Sequence, residues 1–129
     1  MNQLAKFTNE AYALLRIVAG AMFAFHGAQK IFGIMTEWQP DIGSQLWIGG
    51  AIELVTGLLL VIGFQTRIAA FIASGTMAVA YIQFHWKFQF DANFFPPIND
   101  GENSLLYCFL FLYIATCGAI KWGIDKPVT

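Results

Sequence analysis

The 129 residues are 57% hydrophobic and only 12% charged, with a mean hydropathy of +0.58. So little polar surface cannot cover a water-soluble globule, and the length suits one domain that meets lipid rather than water. A net charge of −1 offers no basic face, which excludes nucleic acid as a partner.

Residues 1–10 are a short polar lead with Lys6, Asn9 and Glu10. A first span is expected at 11–32, broken by Gly33. It is too long for a signal-peptide core and contains Arg16, so it is expected to be retained as a membrane span. Arg16, Gly20, Phe23, Gly27 and Lys30 recur at helical spacing along one stripe, with His26 beside it. Ionisable groups are costly in hydrocarbon and usually face a protein interior or a wet cavity. Two readings stay open: Arg16 and Lys30 mark the ends of the span and snorkel to the headgroups, or they face inward with His26.

The loop 34–45 holds the turn and interface residues Glu37, Trp38, Pro40, Asp41 and Gly43. A second span is expected at 46–62. Its stripe Gly50, Glu53, Gly57, Leu60 puts a carboxylate between two glycines, on a face where another helix can come close. Glu53 is therefore either a site residue or a polar contact between helices. The link 63–67 is short, with Gly63 to end one helix and Thr66 to cap the next, so the second and third spans are antiparallel neighbours. The third span, 68–86, carries the small residues Ala69, Ala73, Thr76 and Ala80 on one face and closes with His85 and Trp86, an interfacial anchor or a ligand group.

Residues 87–103 form the longest loop, rich in aromatics (Phe88, Phe90, Phe94, Phe95) and containing Pro96-Pro97. It is expected to lie on the membrane surface or to close the mouth of the bundle as a lid. A fourth span follows at 105–120. Glu102 suits its start through capping and the helix dipole alone, and is also a site candidate. Lys121, Trp122, Asp125, Lys126 and Pro127 form a tail. Cys108 and Cys117 lie about 13 Å apart along one helix and cannot bridge.

The expected fold is all-α: an integral membrane antiparallel four-helix bundle. Lys6, Arg67, Lys121 and Lys126 gather on the side of the termini, with Arg16 near it, which makes both termini cytoplasmic. His26, Lys30, His85 and Glu102 then collect toward the outer half, with Glu53 deeper. These five are the candidates for ligand binding or proton relay, centred on Glu53 and His26 with Lys30 above. Arg16 and Arg67 are expected to be structural. No metal-ligand cluster and no nucleophilic triad can be read.

The motifs His26-Gly27-x-x-Lys30-x-x-Gly33, Glu53-x-x-x-Gly57, Thr66-Arg67 and Asn99-Asp100-Gly101-Glu102, in that order, resemble the DoxX family of small four-helix membrane proteins. Asp100-Gly101 stands where the family often has Gly-Gly. Family members are similar to a subunit of thiosulfate:quinone oxidoreductase. The resemblance therefore implies a membrane subunit that binds quinone or another small ligand within an oxidoreductase complex in a bacterial inner membrane. Since the chain carries no flavin fingerprint and no iron–sulfur cysteine set, a redox partner subunit would supply the electrons; a second copy of the chain is the other expected partner. The alternative is a non-catalytic anchor or scaffold whose buried polar groups are structural.

Overall fold

A computed structural model describes residues 1–126; Pro127, expected in the tail, lies outside the described residues. All regular structure among those residues is helical. A short helix α1 (Asn2–Ala5) precedes α2 (Thr8–Phe32), α3 (Gln45–Ile62) and α4 (Thr66–Ala80). The last of these runs on into a π turn, Tyr81–Trp86. A 3-10 turn (Ala92–Phe94) and α5 (Pro96–Asn99) lead to α6 (Glu102–Cys117). Three segments, Thr8–Phe32, Gln45–Ile62 and Thr66–Trp86, are long and apolar enough to cross a membrane. The fourth apolar helix, α6, has 16 residues.

Local chemistry sets these boundaries. Both α2 and α3 end at a glycine in the left-handed region, Gly33 at φ 66° and Gly63 at φ 67°, where a side chain would be strained. Ser44 opens α3 by accepting a bond from the Trp47 amide at 3.3 Å. Thr66 does not cap α4. It is the first residue of the helix, and the caps come from the far end of the chain: the Asp125 carboxylate accepts from the Gln65 and Thr66 amides, each at 2.8 Å. The fourth helix stops at Cys117, short of the expected 120, because Gly118 turns at φ 79° and Arg67 donates to the carbonyls of Ala115, Thr116 and Cys117. A cation on the last carbonyls of a helix satisfies orphan acceptors and complements the dipole.

Glycines bring α2 and α3 into close contact. A Cβ at Gly27 would lie 2.4 Å from the Leu54 amide nitrogen, and one at Gly57 would lie 2.5 Å from the Ala24 nitrogen. Such a seam needs the absent side chains. Position 20 faces 57 and position 27 faces 50, so the two helices run in opposite directions. The register of α4 on α6 is likewise opposed: Arg67 reaches Thr116, Ser74 Oγ donates to the Cys108 carbonyl at 2.7 Å, and Tyr81 packs on Gly101. Phe23 of α2 meets Tyr107 and Phe111 of α6, and with Leu60, Ala70 and Ile114 these residues build the core between the pairs.

Arg16 sits at the closed end. It is fully buried, its Nε donating to the Leu60 carbonyl at 3.0 Å and its two terminal nitrogens to the carbonyls of Ala119, Lys121 and Trp122. It does not snorkel; it ties the end of α3 to the segment after α6. That segment continues along the α3–α4 link, the Asp125 amide donating to the Gly63 carbonyl at 2.8 Å. Burial alone pushes the Asp125 carboxyl up, but the Thr66 and Gln65 hydrogen bonds and the nearby Arg16 charge together hold it below the ordinary carboxylate value.

Candidate functional site

Away from that closed end the helices part around a cavity of about 960 Å³, lined from α2, α3, α4, the π turn and α6. Its walls are mainly apolar, from residues such as Val18, Met22, Ile52 and Val79, and its polar groups include His26, Lys30, Glu53, His85 and Tyr107. Such a space, apolar with a few convergent polar groups, is the usual form of a small-ligand site.

Glu53 is 4% exposed and forms an ion pair with Lys30, Nζ to Oε1 at 2.7 Å. Gly50 makes the pair possible. A Cβ there would meet Lys30 Cβ at 2.6 Å, so the lysine stem lies across the bare backbone of α3 and its ammonium comes down on the carboxylate one turn further along. The expected partner of Glu53 was His26 with Lys30 above. Instead the lysine holds the carboxylate, because the glycine seam favours the longer side chain. The second oxygen, Glu53 Oε2, is buried and has no hydrogen-bond partner. His26 lines the cavity from an exposed position on α2.

His85 reaches the cavity because the helix widens. Over Tyr81–Trp86 the turn is π rather than α, which carries His85 onto the cavity side with Ala80 and Phe84. Its Nδ1 lies 3.1 Å from the Asn99 carbonyl, an acceptor only, so Nδ1 carries the proton and Nε2 is the free acceptor of the neutral ring. Asn99 is itself buried, its side-chain nitrogen donating to the Tyr81 hydroxyl at 3.1 Å and the Asn93 carbonyl at 2.9 Å. At the mouth, Gln45 of α3 and Gln83 exchange hydrogen bonds at 2.6 and 3.0 Å. Glu53 lies roughly 12 Å below Gln45 along α3.

Glu102 does not join the cavity lining. It is exposed at the first turn of α6, where the helix dipole accounts for an acidic residue. The aromatic loop does not close the mouth either: of residues 87–103 only Asn103, already in α6, lines the cavity. Trp86, Phe88, Phe90, Phe94 and Phe95 pack on one another in an outward-facing cluster. The polar residues of the cavity lining missed from the sequence are Gln45, Thr76, Asn103, Ser104 and Tyr107, together with Gln83 and Asn99, which hydrogen-bond to Gln45 and His85. Only the spacing of Tyr107 from Phe111, one helical turn along α6, hinted at an inward face. Among the described residues no three His, Cys, Asp or Glu side chains converge as for a metal ion.

The profile of the DoxX family matches residues 11–86, which hold α2 to the π turn and with them His26, Lys30, Glu53 and His85. The chain belongs to the DoxX family. It is an integral membrane protein by that membership and by its apolar helices. Among its relatives, an uncharacterized protein of Haemophilus influenzae is 41% identical over 130 residues, covering 98% of this chain and 96% of the relative. A Bacillus subtilis protein named "Putative oxidoreductase CatD" is 27% identical over 120 residues, covering 89% and 84%. No solved structure gives a significant match to this DoxX protein.

Proposed function

We propose that this DoxX protein is the quinone-binding membrane subunit of an oxidoreductase. The chain would form an antiparallel four-helix bundle in a bacterial inner membrane, with both termini cytoplasmic and a partner subunit delivering the electrons. The observation that carries the reading is the cavity: an apolar slot large enough for a substituted ring and the first part of an isoprenoid tail, with ionisable groups at several depths. Tyr107 presents aromatic surface to a ring, and Lys30 still has ammonium protons to give to a ligand oxygen. His85 stands nearer the mouth, where a proton released from a bound ring could leave. The name of the B. subtilis relative agrees with a redox role.

The Lys30–Glu53 pair across a glycine seam also suits an anchor or scaffold, in which the same contact only joins two helices. Val79→Trp separates the two. It adds bulk at a half-exposed wall position on α4, a different helix from the two that carry the polar pair. For a quinone-binding subunit, decylubiquinone binds the purified protein in nanodiscs and Val79→Trp abolishes that binding at unchanged melting temperature. Failure of the unsubstituted protein to bind, or equal binding by Val79→Trp, would leave the scaffold reading.

A further inference from the structure

One polar atom of the cavity wall does not match a fully oxidised ring. Both ring oxygens of a quinone are carbonyls and need donors. The buried polar atom left unmatched in the cavity wall is an acceptor, Glu53 Oε2, on a residue that is 4% exposed. Its sister oxygen is already taken by Lys30 at 2.7 Å. A quinone carbonyl brought to Oε2 would set lone pair against lone pair and leave the carboxylate oxygen unsatisfied. A phenolic O–H would satisfy it with a charge-assisted hydrogen bond. The other groups of the lining do not reverse this balance: His26, Asn103 and Ser104 carry N–H or O–H groups that can donate to a carbonyl and to a hydroxyl oxygen alike. His85 Nδ1 is committed to the Asn99 carbonyl, so its free nitrogen is also an acceptor. The Tyr107 hydroxyl accepts or donates equally well, and the Lys30 ammonium can donate to either a carbonyl or a hydroxyl oxygen.

We propose that the cavity holds the reduced, dihydroxy form of the ring more tightly than the quinone, with one phenolic O–H donated to Glu53 Oε2. This rests on the quinone-binding reading and adds which redox form the site selects. A charge-assisted hydrogen bond made by one form only gives a preference of roughly tenfold or more. By linkage, a tenfold preference for the reduced form raises the potential of the bound two-electron couple by about 30 mV. A site so biased draws electrons toward the ring and retains the product, so that release of the quinol is the step a partner or the bilayer must favour.

The test is anaerobic calorimetry of the full-length protein in nanodiscs with three probes: decylubiquinone, decylubiquinol and the O-methylated diether of the quinol, which has no donor. The expected result is tightest binding of the quinol, with the diether no better than the quinone. Glu53→Gln should bring the quinol and quinone affinities together. Because Gln leaves Lys30 without its carboxylate and the variant can fail to fold, the double substitution Lys30→Met/Glu53→Gln, which removes both charges, is measured alongside; it should show the same loss of preference. Equal or tighter binding of the quinone by the unsubstituted protein would overturn the preference while leaving the quinone-binding reading intact. A preference that persists in a folded variant would overturn the assignment to Glu53. Binding of none of the three probes would overturn the quinone-binding reading, and this proposal with it.

Discussion

Replacing Arg16 by Met should cost this protein more stability than any other single polar substitution in the described chain. The guanidinium is wholly buried and serves four carbonyls. One, on Leu60, belongs to the last turn of α3, where carbonyls have no helical partner; the other three are in the irregular segment after α6. Hydrogen bonds to a charged group each contribute about 1.5–3 kcal/mol, but they are not additive here. The carbonyls of Lys121 and Trp122 belong to exposed residues and regain water once the segment loosens, whereas Leu60 and Ala119 are buried. Met fills part of the volume. The expected loss is therefore about 3–5 kcal/mol, as for removal of one partner from a buried charged contact. For a chain of this size that is a drop of roughly 10–15 °C in melting temperature. The assay is thermal unfolding in detergent, followed by the accessibility of Trp122. Arg16→Lys should rescue little, since one ammonium cannot span the fork that serves both α3 and the tail. A melting temperature within two or three degrees of wild type (about 1 kcal/mol) would refute the clamp, as would a stable variant that lost only ligand binding.

Gly27→Ala should lose about 1–3 kcal/mol because its Cβ would enter the Leu54 backbone. Gly49→Ala, which meets nothing within 4 Å, should be neutral or slightly stabilising in a thermal melt. The depressed Asp125 value predicts a pH dependence. A carboxylate whose folded pKa lies below its unfolded value of about 3.8 stabilises the fold above that pH and ceases to do so as pH falls through the folded value. The stability difference between wild type and Asp125→Asn should thus be constant from pH 7 to about 5 and shrink below about pH 4; a flat difference would count against the cap. With cytoplasmic termini, a single cysteine at position 65, in a protein cleared of Cys108 and Cys117, should resist an impermeant reagent added outside intact cells. Labelling there would invert the topology.

The sequence made the apolar stretches legible because lipid leaves few alternatives: a long apolar run must satisfy its backbone as helix, and Gly33 and Gly63 mark two of the stops. The stripe Gly20–Gly27 and its counterpart Gly50–Gly57 likewise named the faces that meet. Pairing was harder to read. The depths of His26 and Glu53 along their helices are similar, and depth alone favoured that pair. Which side chain reaches the carboxylate depends on how far the seam closes, and Gly50 lets Lys30 lie flat against α3. The position of His85 depends on a π turn that no residue pattern in YIQFHW announces. Asp125 capping α4 was beyond reach for another reason: the cap and the helix it serves are 60 positions apart, and only the folded chain joins them.

The carbonyl clamp on Arg16 also bears on the order in which the protein can be made. Synthesis delivers α2 first, with its arginine in the span, and the three carbonyls from Ala119 to Trp122 among the last. Until α6 and its tail arrive, that cation has no more than the Leu60 carbonyl to meet, and the charge remains expensive in hydrocarbon. The arginine of the first helix is thus answered in full only once the segment after α6 is in place.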